Sequence, residues 1–178
     1  MRNWILWVTL LGSPAMAQDA CQIAASARTT GSFMKVPIHA APTSTSEVLE
    51  VAPEYLDEAT GNVLGARFVI AEMRNGWARV TNVTDWSQTV VGPDGWIGAI
   101  NIALVPQTYR GFAVASPSSK IVWEGTEWPT AELLIECKGE WGKVRLRGGE
   151  DPTPVTAWVR GFCDTPDATC EGVTGDGG

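Results

Sequence analysis

The sequence predicts an all-β protein built from two small β-barrels in tandem. No long stretch of apolar residues recurs with the 3.6-residue period of a helix, so we expect little helix. Short runs of β-branched and aromatic residues alternate instead with turn residues, and the chain holds 19 glycines, 11 prolines and 9 tryptophans. The third observation is an internal repeat, in which one succession of strands and turns occurs twice.

The first 17 residues have the pattern of a secretory signal peptide. Arg2 supplies a positive charge, residues 4–11 form a short apolar run, and residues 15–17 read Ala-Met-Ala, a cleavage motif. The apolar run is too short for a transmembrane helix, which needs about 20 residues. We therefore expect cleavage before Gln18, a periplasmic or secreted protein, and no stable membrane anchor; a buried N-terminal helix is the alternative.

The four cysteines predict two disulfides, because an exported chain folds in an oxidising compartment. Cys163 and Cys170 flank a turn-forming hexapeptide, which favours a local pair between them. By elimination, Cys21 then pairs with Cys137. The spacing of the cysteines does not fit a zinc site, so no metal and no other cofactor is expected.

The first copy of the repeat covers residues 32–105. A strand is predicted over residues 65–73, a hairpin turn over 74–76, a return strand over 77–83 and, after a turn at 91–95, a strand over 96–100. Residues 18–31 form an N-terminal segment ahead of this copy.

The second copy covers residues 110–163 and is followed by a C-terminal tail, 164–178. Strands are predicted over residues 131–137, 141–146 and 155–161. Residues 75–80 (NGWARV) match 139–144 (GEWGKV), 95–98 match 157–160, and 40–44 (AAPTS) match 115–119 (ASPSS). On this alignment the first copy carries eleven additional residues near 53–62, which either border a ligand groove or form a tolerated surface insertion.

In order and spacing, these motifs resemble the bacterial SH3 domain (SH3b). The first copy offers residues 36–45 (VPIHAAPTST), 64–69 (LGARFV), 76–80 (GWARV) and 95–97 (GWI), with His39 at the usual arginine. The second copy offers residues 112–117 (FAVASP), 140–144 (EWGKV) and 157–159 (AWV), where Glu140 and Ala157 replace glycines. The resemblance implies two SH3-like barrels that bind ligands, with the long first loop beside the ligand groove.

No catalytic set is expected, so the protein is predicted not to be an enzyme. The single histidine, His39, is expected to be a half-exposed strand residue, and no nucleophile can be assigned to it. The carboxylate pairs that could act on a glycosidic bond, residues 57–58 and 150–151, lie in loop-like sequence. Residues 82–84 (NVT) fit an N-glycosylation sequon.

Strand parity predicts one ligand-binding face. Trp77 lies three positions before Val80, so the two side chains face opposite sides of a regular strand, and Trp96 opposes Ile97 in the same way. If the aliphatic residues fill the core, Trp77 and Trp96 share the outer face, with Tyr55 of the insertion closing one side. Trp141 and Trp158 hold the equivalent positions of the second copy. The alternative is that these rings only cover the barrels.

Charge limits the partners of this protein. The formal net charge is −7 and the isoelectric point is near 4.7, so binding to a nucleic-acid backbone is not expected. The first hypothesis is a non-catalytic cell-envelope protein that binds cell-wall peptide or glycan, or another exported protein. The second is a secreted inhibitor or immunity-type protein that acts on a cationic cell-wall enzyme.

Overall fold

The computed structural model describes residues 20–28, 35–56, 61, 63–126, 129–148 and 153–163. The expected signal peptide, both carboxylate pairs (57–58 and 150–151), Cys170 and the C-terminal tail lie outside these residues. Within the described ranges the protein is all-β, with no α-helix and one 3-10 turn at Ala99–Asn101, as the sequence predicts.

The described strands fall into a seven-stranded sheet, a five-stranded sheet and two pairs. All pairings are antiparallel, and no closed barrel is found among these residues. Their bounds, in chain order, are β1 Ile23–Ala27, β2 Val36–His39, β3 Val48–Ala52, β4 Glu54–Leu56, β5 Val63–Gly65, β6 Arg67–Arg74, β7 Trp77–Thr84, β8 Gly95–Gly98, β9 Ile102–Ala103, β10 Val105–Pro106, β11 Arg110–Phe112, β12 Ile121–Glu124, β13 Thr130–Lys138, β14 Trp141–Arg147, β15 Val155–Arg160 and β16 Phe162–Cys163.

The two large sheets repeat one strand order. In the first copy β3, β2, β8, β7 and β6 are neighbours in that order, and in the second copy β12, β11, β15, β14 and β13 follow the same order. The seven-stranded sheet is completed by β1 and β9, which lie beyond β6. The N-terminal segment therefore contributes a strand to the sheet of the first copy.

Turn residues set the hairpins at the centre of each copy. Asn75 and Gly76 have φ of 51° and 79°, the left-handed pair that matches the twist of a two-residue hairpin between β6 and β7. In the second copy Gly139 has φ of 56°, while Glu140 does not adopt a positive φ. The second hairpin therefore uses a different turn, in keeping with the replacement of glycine by Glu140.

The loops after β2 and β11 correct the expected alignment of residues 40–44 with 115–119. Ala40 N–H donates to the Glu47 carbonyl at 2.9 Å, and Ala113 N–H donates to the Lys120 carbonyl at 2.8 Å. Ser46 Oγ and Ser119 Oγ each donate to a carbonyl five residues earlier, at 3.0 and 3.2 Å. Residue 40 thus corresponds to residue 113, a shift of two positions from the alignment based on the prolines.

Most buried hydrophobic side chains of the two copies belong to one contiguous cluster. Val80 and Val144 are both 0% exposed, so each is a core position of its copy. Gly142 lies where the copies meet: a Cβ added there would be 2.8 Å from the ring of Phe162 and 3.1 Å from Ile23. The two units therefore share a core, which the tandem arrangement alone does not predict.

Strand β1 joins the two copies. It pairs with β6 and β9, while Gln22 N–H donates to the Gly139 carbonyl of the second copy at 2.8 Å. The expected disulfide between Cys21 and Cys137 is present and spans 116 residues. Arg28 donates from Nη2 to the carbonyls of Ile102 and Glu132, at 3.0 and 2.9 Å.

The disulfide indicates an oxidising compartment, because such bonds rarely persist in a reducing cytosol. Cys163 is also disulfide-bonded, and no described cysteine is a free thiol. The partner expected for Cys163, Cys170, lies outside the described residues.

Candidate functional site: the outer aromatic faces

Trp77 opens β7 and lies on the outer face of the first sheet. Ala78 and Val80 point into the core with 0% exposure, while Trp77 is half-buried, so the parity argument holds along this strand. The β6–β7 ladder has two irregularities, one in β6 between Ile70 and Glu72 and one in β7 between Thr81 and Thr84, so β7 keeps its alternation from Trp77 to Thr81. The indole of Trp77 meets the His39 ring edge-on, with centroids 5.1 Å apart and an interplanar angle of 81°.

His39 is buried, not half-exposed as the sequence predicts. Its side chain is 6% exposed because Trp77 covers the ring and because the loop after β2 folds against it. His39 Nδ1 lies 3.3 Å from the Ser46 carbonyl oxygen and 3.5 Å from Ser46 Oγ. The residue thus supports the orientation of the Trp77 indole.

Trp96 shares this outer face but offers little surface. It pairs across the sheet with Arg79 on one side and His39 on the other, and directly opposed residues face the same way. Its side chain is only 9% exposed. Of the two expected tryptophans, Trp77 therefore presents more ring to solvent.

The second copy repeats this arrangement with phenylalanine in place of histidine. Phe112 meets Trp141 edge-on, with centroids 5.6 Å apart and an interplanar angle of 84°. Phe112 also pairs with Trp158, as His39 pairs with Trp96. Trp158 is 9% exposed, which equals the value for Trp96.

Cations lie on both tryptophans of the second copy. The guanidinium carbon of Arg160 is 5.6 Å from the Trp141 ring centroid, and Lys143 Nζ is 5.9 Å from that of Trp158. Arg160 is the cross-strand partner of Trp141, which places it on the same face of the sheet.

The structure places Tyr55 away from Trp77. Tyr55 lies in β4, pairs with Leu64 and packs against the core. Burial, with a smaller contribution from the nearby Asp85 carboxylate, raises the pKa of the Tyr55 phenol. Asp85 follows the last residue of β7 whereas Trp77 is its first, so roughly 23 Å of strand separates these ends. Trp77 and Trp96 therefore share a face that Tyr55 does not close.

Among the described residues of the first copy the structure also forms two grooves that the sequence does not predict. One of about 360 Å³ lies along β6 and β7 and is lined by Arg67, Asn82, Thr84 and Gln88 among others. The other, of about 380 Å³, follows β3 and is lined by Lys35, Glu50, Val51, Ala52, Pro53 and Glu54. Their shape depends on how side chains pack across neighbouring strands, which the alternation within a single strand does not indicate.

The predicted sequon lies within β7. Asn82 is exposed and has φ of 53°, while Val83 and Thr84 are buried. The Asn82 N–H donates to Asp94 Oδ1 at 3.3 Å. The Asn82 side chain thus borders the groove on β6 and β7 rather than an open loop.

In the part of the chain that the structure describes, no cluster of three histidine, cysteine or acidic residues could hold a metal ion. The same part contains no helix that is long and apolar enough to span a membrane.

Comparison with known proteins gives no relative. Neither the family models, nor the curated proteins, nor the solved structures contain a match to this chain.

Proposed function

We propose that this chain is an exported, non-catalytic binding protein of the bacterial cell envelope, made of two SH3-like barrels. The SH3-like reading is supported by the order of the sequence motifs and by the strand order that both sheets share. Export is supported by the N-terminal pattern and by the disulfide between Cys21 and Cys137. The ligand is cell-wall peptide or glycan, or another exported protein.

The repeated aromatic contact on the outer face carries this proposal. Each copy holds a half-buried tryptophan edge-on against the ring that precedes its first loop: Trp77 against His39, and Trp141 against Phe112. A rigid indole on an outer face suits recognition of peptides and sugar rings, because it offers apolar area at low entropic cost. Trp77 is the stronger candidate because no cation among the described residues stacks on it.

A titration of residues 18–178 with cell-wall fragments tests the function. Muropeptides are added to ¹⁵N-labelled protein, and the indole N–H signals are followed by NMR. We expect the Trp77 signal to shift and the Trp141 signal to remain in place. If neither fragments nor exported proteins move the Trp77 signal, the proposal is wrong.

The net charge of −7 favours one second candidate, an inhibitor of a cationic cell-wall enzyme. Lysozyme is a suitable probe of this class. Electrostatic capture would weaken steeply when the salt concentration rises from about 50 to about 150 mM, because exposed charges are then screened. Binding of a neutral muropeptide would change little over this range, so the salt dependence separates the two candidates.

A further inference from the structure

The two copies differ in what covers the outer tryptophan. In the second copy, Arg160 lies opposite Trp141 on the neighbouring strand and places its guanidinium over the indole, 5.6 Å from the ring centroid. In the first copy, the residue opposite Trp77 is Gly98. The position that carries a cation in one copy therefore carries no side chain in the other.

The equivalence of these positions follows from the strand register. Trp77 pairs with Gly98 as Trp141 pairs with Arg160, and both tryptophans open the strand after a two-residue hairpin. The edge-on contact with His39 or Phe112 fixes both indoles at nearly the same angle, 81° and 84°. The first copy thus repeats the tryptophan and its supporting ring without the arginine.

We propose that the Trp77 face binds a cationic side chain of a protein or peptide partner, arginine above all, in the position that Arg160 takes over Trp141. A guanidinium over an indole is attracted by the negative face of the ring and stacks on it as a plane. The protein itself shows that this face geometry accepts an arginine. Its net charge of −7 attracts a basic partner. This inference rests on the proposed binding function and names the chemistry of its ligand.

A substitution at Gly98 can place a side chain of the protein itself over Trp77. The φ of Gly98, −61°, is one that every residue type adopts. A Cβ added at this position would have Asn101 Nδ2 as its nearest neighbour, at 3.6 Å. An arginine at this position reproduces the arrangement of the second copy. A glutamine, which is shorter and uncharged, supplies a polar side chain without the guanidinium and is the control.

The test is an NMR titration of ¹⁵N-labelled protein, residues 18–178, with tetra-arginine amide and with its uncharged isostere, tetra-citrulline amide. We expect tetra-arginine to shift the Trp77 indole signal, which Trp77→Phe identifies by its loss. Gly98→Arg should weaken this binding on the order of tenfold, as intramolecular cation–π stacking competes with the peptide, and Gly98→Gln should weaken it much less.

The reverse change is made in the second copy. Arg160→Gln uncovers Trp141, so tetra-arginine should then shift the Trp141 indole signal as well. Backbone spectra of every variant report whether the fold is kept.

The inference is overturned if tetra-citrulline shifts Trp77 as strongly as tetra-arginine, or if Gly98→Arg binds as the native chain does. In either case the proposed function still stands when muropeptides shift Trp77. If no peptide, no muropeptide and no exported protein shifts Trp77, both proposals fall.

Discussion

The backbone N–H of Gln22 donates a hydrogen bond to the carbonyl oxygen of Gly139, 2.8 Å away in the hairpin turn of the second copy. Gln22 directly precedes β1, which pairs with β6 of the first copy, so one short segment bonds to both copies. The neighbouring disulfide makes the same connection covalent. We therefore expect the two copies to unfold together.

Removal of the Cys21–Cys137 disulfide should lower the free energy of unfolding by about 2–5 kcal/mol, because the bond closes a long loop in the unfolded chain. The measurement is urea unfolding of the Cys21→Ala, Cys137→Ala double variant beside the native protein. Two separate transitions in the variant would show that the bond couples the copies. An unchanged midpoint would contradict the prediction.

Gly142→Ala should destabilise the junction between the copies. The added methyl group would lie 2.8 Å from Phe162 and 3.1 Å from both Ile23 and Leu134, a contact that overpacks the core and costs about 1–3 kcal/mol. Gly98→Ala is the control, since its Cβ meets only an ordinary contact at 3.6 Å. Equal thermal midpoints for the two variants would refute this account of Gly142.

Val80→Ala and Val144→Ala should each lower stability by about 1–3 kcal/mol, because both truncate side chains that are 0% exposed. Because both residues belong to one cluster, each change should lower the midpoint of a single transition. Hydrogen exchange followed residue by residue checks this. Loss of protection confined to one copy would contradict the shared core.

Trp77→Ala should weaken muropeptide binding on the order of 2 kcal/mol or more, the range of aromatic hot spots, while the fold remains cooperative. Trp141→Ala should leave binding nearly unchanged, since Arg160 already lies over that ring. Isothermal titration calorimetry gives the affinities and circular dichroism the fold. If both variants unfold and Trp77→Phe binds normally, the tryptophan is structural.

The phenol of Tyr55 should titrate above its usual pKa of 10.0, because burial and then the Asp85 carboxylate disfavour the phenolate. The chain has two tyrosines, so Tyr109→Phe leaves Tyr55 as the only phenol for an ultraviolet titration. A raised folded pKa means that Tyr55 favours the native state below pH 10 and loses this effect as the pH rises through the folded value. Asp85→Asn should reduce the shift without abolishing it.

Local patterns predicted six of the described strands, namely β6, β7 and β8 in the first copy and β13, β14 and β15 in the second. The two central hairpins follow from period-2 alternation and from left-handed residues such as Asn75 and Gly139, which act within a few residues. The place of β1 could not be predicted in this way, because its partners β6 and β9 lie far along the chain. The buried residues of β1 pack into the core that both copies share, and no short-range sequence pattern indicates such a position.

The candidate site was predicted in part. Parity placed Trp77 and Trp96 on one face, because alternation is a property of a single strand. It did not indicate that His39 would be buried beneath Trp77, or that Tyr55 would lie near the far end of β7. The positions of His39 and Tyr55 depend on how the neighbouring loops pack against the sheet, which alternation within one strand does not determine. The proline-based alignment of the first loops failed because hydrogen bonds of Ser46 and Ser119, not the prolines, define those turns.

The place of β1 also bears on how the chain folds. Cys21 precedes Cys137 by 116 residues, so Cys21 reaches the oxidising compartment first and can pair only after Cys137 has followed. During that interval the β6–β7 hairpin can close by itself, but the sheet edge that receives β1 lacks the support of the second copy. Contacts so distant in sequence form slowly. Refolding from the reduced state should therefore be slower than refolding with the bond intact, and a thiol–disulfide isomerase should accelerate it.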